Sequence, residues 1–190
     1  MTALVLGLLV FLGAHSVRIV ADGWRTRTRE RIGAGPWKAA YSAISALGLV
    51  AIVWGYGDAR LDPVVLWSPP VAALRHLVAL FVLVAFVLIA AAYVPGNAIR
   101  ARLHHPMLLG VKLWAFGHLL VNGTLADLLL FGGFLVWAVF AFRAARQRDR
   151  AEALAYPPGR AGPTAAAVAI GAIAWAVFAF GLHRQLIGVA

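Results

Sequence analysis

The chain contains no cysteine among its 190 residues. Disulfides, thiolate metal sites, iron–sulfur clusters and cysteine nucleophiles are therefore excluded. Acidic residues are also scarce, seven Asp and Glu against seventeen Lys and Arg, and only 13% of residues are charged. Soluble domains carry about 25% charged and about 45–50% apolar residues; here 63% are hydrophobic, with a mean hydropathy of +0.85. So little charge cannot solvate a surface of this size. Composition points to an all-α integral membrane protein, a single bundle over residues 1–190 with the lipid bilayer as its first partner. The formal charge of +10 would suggest nucleic acid in a soluble protein. Here it reads as the basic residues that mark cytoplasmic ends of membrane helices, and no nucleic-acid partner is expected.

Six apolar segments follow: roughly Thr2–Val20, Trp37–Gly57, Val71–Tyr93, Pro106–Val121, Leu125–Phe142 and Thr164–Leu182. Crossing a bilayer takes about 20 residues. Four of them meet this; the fourth and fifth are short. Only Asn122, Gly123 and Thr124 join those two, which predicts an antiparallel helical hairpin. The first segment lacks a basic n-region and a clean small-x-small site, and is expected to be a retained helix. The run Arg143–Pro163 is expected to extend the fifth helix in its first half and to form a Pro/Gly-rich linker in its second.

The basic residues fall on one side. Arg25, Arg27, Arg29, Arg31 and Lys38 follow the first segment, Arg100 and Arg102 the third, and Arg143, Arg146, Arg148, Arg150 and Arg160 the fifth; Arg60 and Arg184 lie opposite. This bias predicts both termini on the non-cytoplasmic side of a bacterial inner membrane.

Polar residues at membrane depth are few, and a central charge costs roughly 2.5–3.5 kcal/mol on insertion scales. His15 lies inside the cytoplasmic end of the first segment, with Arg18 three positions later. It reads as a neutral imidazole bonded to a neighbouring helix or as a cofactor ligand. Pro106 suits the first position of a helix, making His105 its N-cap. Lys112 shares a stripe with His105, and His118 shares a second with Asn122. Lys112 is a candidate partner for an anion, and Arg18 can snorkel to headgroups. Thr124-x-x-Asp127 resembles a capping box; Asp127 is also placed to orient His118 across the hairpin. His76 and His183 read as interfacial. No nucleophile–base pair or hydrolytic metal cluster is visible, so hydrolysis is not expected.

These residues carry a resemblance. His15-Ser16 late in the first segment, then RLHHP from Arg102 and KLWAFGHLLVNGTLAD from Lys112 to Asp127, resemble the NnrU family of bacterial membrane proteins. That family is associated with nitrite and nitric oxide metabolism in denitrifying bacteria, and is related to the plant 15-cis-zeta-carotene isomerase. The resemblance implies a haem b cofactor, with iron ligands at His15 and His118 and redox-gated isomerisation of a lipophilic substrate. Where the isomerase has a cysteine three residues before the second histidine, this chain has Ala115, so thiolate exchange is unavailable. Arg18, Lys112 and His105 are candidates to hold the propionates, with Asn122 and Asp127 behind the ligands. Straight helices would separate His15 and His118 by about 10–15 Å in depth, and His15 with His105, which share a leaflet, is the competing pair. A redox partner is not identifiable. An assembly or sensing factor for denitrification, or a small transporter using Lys112, Asn122 and Asp127, are the other readings.

Overall fold

The structure, a computed structural model, describes residues 1–183 and Gln185; Arg184 lies outside the described residues. Helices make up the chain: α1 Thr2–Val20, α2 Asp22–Ile32, α3 Ala34–Ala59, α4 Val71–Tyr93, α5 Ala98–Leu103, α6 Pro106–Val121, α7 Leu125–Ala151 and α8 Ala161–Leu182. Among the described residues five helices (α1, α3, α4, α7 and α8) are long and apolar enough to cross a membrane. The sixteen-residue α6 is a shorter apolar helix. The chain is therefore a multi-pass α-helical membrane protein.

Two short helices fall outside the six apolar segments. The first, α2, is rich in Arg, with Asp22 in its first turn and Arg29 and Arg31 in its last, which suits the helix dipole at both ends. The six-residue α5 starts where the buried Asn97 accepts from Arg100 N–H and donates to the carbonyls of Ala91 and Val94. One asparagine thus closes the corner between α4 and α5. The fifth apolar segment continues to Ala151 within α7, and Pro157, Pro158 and Gly159 follow it in an irregular linker.

The main helix contacts run in a row, α3 on α1, α1 on α7, α7 on α6, α6 on α4 and α4 on α8. Small residues hold the row together, with Ala85, Ala115, Ala138 and Ala167 buried inside it. Large apolar side chains point outward instead: Leu9, Leu47, Trp54 and Phe180 are all exposed. This inverted distribution suits a bilayer, where lipid is as apolar as leucine and helices gain from close backbone approach.

The closest approach joins α1 and α3. A Cβ on Gly55 would lie 2.2 Å from Leu4 N, one on Gly7 2.6 Å from Ile52 N, and one on Gly48 2.9 Å from Phe11 N. No side chain fits at those positions. Where α4 meets α8, Gly171 plays the same part against the Val87 backbone.

The two ends of the row differ. At one end Leu66 and Trp67 N–H both donate to Gly123 O and Leu125 N–H donates to Val64 O. The 60–70 connection is thereby strapped over the α6–α7 hairpin, with Met1 N 3.5 Å from Asp58. At the other end Arg148 donates to Arg18 O and Arg160 N–H to Gly96 O. All three basic connections therefore gather on one face, and the N-terminus lies on the opposite one.

Replacing Gly55 by alanine should lower the midpoint of thermal unfolding in detergent, with an overpacking cost of about 1–3 kcal/mol. Gly57→Ala, whose added Cβ meets nothing within 4 Å, should leave the midpoint unchanged or raise it.

Candidate functional site

α7 carries a ladder of aromatic rings on the face it turns to α1 and α6: Phe131, Phe134 and Trp137, spaced by three. The ladder starts in a π-helical turn, Leu128–Gly132. Such a turn inserts one residue and rotates everything beyond it by about 100° relative to an unbroken α-helix. Phe134 joins the two neighbouring helices, its ring 5.7 Å from Phe11 of α1 and 5.6 Å from Trp114 of α6.

A histidine sits at each end of this ladder. His15 stacks on Phe11 at 4.2 Å, with Tyr41 at 5.2 Å and the edge of Trp137 at 5.9 Å. His118 stacks on Phe131 at 4.6 Å, beside Trp114 at 5.3 Å. Each imidazole is tied to its own helix in the same way. His15 Nδ1 lies 2.7 Å from Phe11 O, and His118 Nδ1 lies 2.8 Å from Trp114 O. A carbonyl only accepts, so both Nδ1 atoms carry the proton, and both rings turn Nε2 and its lone pair away from their own backbone. That tautomer is the one a metal-ligating imidazole needs, with its other nitrogen bonded to a carbonyl. Beside His15, the buried Trp137 Nε1 has no hydrogen-bond partner among the described residues.

The two imidazoles share no ring neighbour among these contacts. Phe131 to Trp137 spans six residues, about 9 Å of helical rise, and Phe11, Phe134 and Trp114 fill the level between them.

The hydrogen bonds of the Asp127 carboxylate go to Tyr56 and Thr124. This residue is buried at the N-terminus of α7, where Tyr56 Oη donates to its Oδ1 at 2.6 Å. Its Oδ2 accepts from Thr124 N–H at 2.9 Å and from the Thr124 hydroxyl at 2.6 Å, and Asp127 N–H donates back to Thr124 Oγ1. The capping box is present as the sequence predicts. Tyr56 was not foreseen: a tyrosine 71 positions away leaves no mark on local spacing. Asn122 donates to the backbone carbonyl of His118 and finishes α6.

A third cluster lies at the basic end. Asp149 Oδ2 is 2.9 Å from His105 Nε2, 3.5 Å from His104 Nδ1 and 3.1 Å from Tyr156 Oη, which donates to it. His104 stands at φ 64°, ψ −53°, and His105 N–H reaches back to Leu103 O at 2.8 Å. This is a γ-turn of the strained, positive-φ kind. The strain is held by Asp149 and by Tyr156, whose ring lies 4.0 Å from that of His104. Burial pushes the His105 pKa down against the opposing pull of Asp149. Burial together with the neighbouring carboxylate pushes the Tyr156 hydroxyl up.

The sequence profile described as NnrU protein matches residues 3–190. The chain belongs to the NnrU family. Comparison with curated proteins and with solved structures gave no match.

Within this NnrU chain the sequence-selected residues separate into distinct places. His15 and His118 bracket the aromatic ladder. His105 is the N-cap of α6, as expected, but makes no side-chain cap and bonds to Asp149 instead. Lys112 points its ammonium at the face of Phe142, 4.0 Å from the ring centroid, a cation–π contact. Arg18 lies 4.0 Å from Asp22 and lines a cleft together with His15. His76 lies near the start of α4; His183 lies just beyond α8, its ring 5.8 Å from Phe178.

Asp127→Ala should be the most damaging change here, leaving the donors of Thr124 and Tyr56 without an acceptor at about 1–3 kcal/mol for each one left buried. Tyr56→Phe should cost only about 0.5–1.5 kcal/mol. Thermal unfolding of both variants in detergent checks the order.

Proposed function

We propose that this protein is a haem b-binding member of its family, with His15 and His118 as iron ligands and a lipophilic substrate drawn from the bilayer. The observation that carries this reading is the shared posture of the two imidazoles. Each donates Nδ1–H to the carbonyl four residues earlier, and the cysteine-free, methionine-poor chain has few other donors for iron. Phe11, Phe134 and Trp114 stand between the two imidazoles and would have to move aside for one iron to take both; displaced, they and Phe131 are suited to stack on a flat macrocycle. Trp137 Nε1 is a buried N–H still open to an acceptor beside His15. Arg18, which lines the cleft with His15 and follows it by three positions, is the cation we assign to a propionate. Lys112 and His105 are engaged with Phe142 and Asp149 and are poorer candidates.

A bound haem supplies one-electron redox chemistry, and with it redox-gated cis–trans isomerisation of a polyene. The chain itself would hold both imidazoles in one tautomer, exclude water with apolar rings and admit substrate from lipid. The gathered basic connections would face the cytoplasm of a bacterial inner membrane, leaving the N-terminus on the other side. A sensing or assembly role in nitrogen-oxide metabolism is the second reading. It is favoured by the rings of Phe11, Phe134 and Trp114, which occupy the level between the imidazoles and leave little room there for a macrocycle together with a bulky substrate.

Purified protein, expressed with ample haem, should show a Soret band and reduced α band in a reduced-minus-oxidised spectrum. His15→Ala and His118→Ala should each abolish or shift them. Absence of both bands from the wild type sinks the haem reading, and their persistence in both variants moves the site elsewhere. Conversion of a supplied cis-carotene by the holoprotein would support isomerisation; no conversion with intact bands would support sensing.

A further inference from the structure

The cleft that His15 lines has a second character, set by α2. After α1 the chain turns at Ala21, runs through α2, and turns again at Gly33, whose φ of +91° lies in a region that side chains disfavour. The two corners lay α2 beside the cytoplasmic ends of α1 and α3 and enclose a cleft of about 490 Å³. Its basic lining is His15, Arg18, Arg25, Arg29 and Lys38, with the hydroxyls of Tyr41 and Ser42 beside them. Asp22 lies 3.5 Å from Arg25 and 4.0 Å from Arg18 and partly balances those two. Among the described residues, neither Arg29 nor Lys38 has a carboxylate within 4.0 Å, so two cations face the cleft unpaired.

We infer that this cleft binds the phosphate group of an anionic amphiphile, with Arg29 and Lys38 as its main partners. Four cations against one carboxylate select a multiply charged anion, and phosphate offers several acceptor oxygens to guanidinium and ammonium donors. The apolar part of the lining, Ala14, Val17 and Trp37, suits an attached hydrocarbon chain. Trp37 meets Trp24 edge to face at 5.9 Å, an aromatic pair of the kind that settles at headgroup level. The cleft shares His15 and Arg18 with the proposed haem site, but the main phosphate partners, Arg29 and Lys38, are neither iron ligands nor propionate partners in that reading.

The test is binding of phosphatidic acid to the full chain in neutral detergent, read by native mass spectrometry and by the rise in unfolding temperature. Phosphatidylcholine and inorganic phosphate run beside it, and the haem spectrum is recorded separately. Phosphatidic acid should bind the wild type, and the double variant Arg29→Gln/Lys38→Gln should weaken binding about tenfold or more. Arg27→Gln/Arg31→Gln removes the same charge from this region at residues outside the cleft and should change binding little. Inorganic phosphate binding alone, with the same dependence on Arg29 and Lys38, would keep the phosphate site and make its ligand a soluble one. Equal losses in the two double variants, or equal binding of phosphatidylcholine, would overturn the inference, as would no binding at all. A haem spectrum unchanged in Arg29→Gln/Lys38→Gln separates this result from the fate of the iron ligands.

Discussion

The close approach of α1 and α3 is the contact on which the remaining arrangement depends. In lipid, burying leucine gains little, because the surroundings are already apolar; helices are held by dispersion between well-fitted backbones. Gly7, Gly48 and Gly55 remove the side chains that would keep the two helices apart. This fixes α1 along most of its length, buries Leu4 and Leu8, and places Phe11 and His15 against α3 on one side and the α7 ladder on the other. With α1 free to slide or rotate, His15 would have no fixed neighbours.

The second organising element is α7. Its aromatic face connects the α1–α3 pair to the α6–α4–α8 group, and the π-helical turn at Leu128–Gly132 sets the direction of that face. Polar groups then secure the ends of the helix. Asp127 anchors the start to Tyr56 of α3, while Asp149 anchors the far end to His104 and His105 at the entry to α6. In each case a carboxylate joins a local partner to a distant one, Thr124 and Tyr56 at Asp127, Tyr156 and His105 at Asp149. The buried Asp127 is tolerable because both of its oxygens are satisfied, and it stands at a helix N-terminus, where unpaired donors exist already.

Much of the fold was legible in the residues. The apolar segments, the Asn122–Thr124 hairpin, the Thr124–Asp127 capping box, Pro106 at the first turn of α6 and the extension of α7 all depend on local spacing. The family resemblance rested on motifs in the same stretches. Less of the candidate site could be read. His15 and His118 stood out because imidazoles are rare at that depth, but the tautomer they share depends on Phe11 and Trp114 carbonyls and on rotamers that packing selects. Lys112 reads as an anion partner from its charge; its ammonium also lies over a ring on another helix, which local spacing does not reveal. Asp149, Tyr156, Tyr56 and Trp137 went unnoticed because each stands in an ordinary local context.

The sequence by itself determined that this is a helical membrane protein, where most helices begin and end, and which end of the bundle carries the positive charge. Hydrophobicity, capping and charge bias act over a few residues or over a whole loop, so they survive in one dimension. Only the tertiary structure decided that α7 links the two halves, that two histidines bracket an aromatic ladder, and that Asp127 serves Tyr56 while Asp149 serves His105. Those outcomes depend on which faces meet after glycine contacts fix the helix order, and a pairing between residues dozens of positions apart has no signature in either one's neighbourhood.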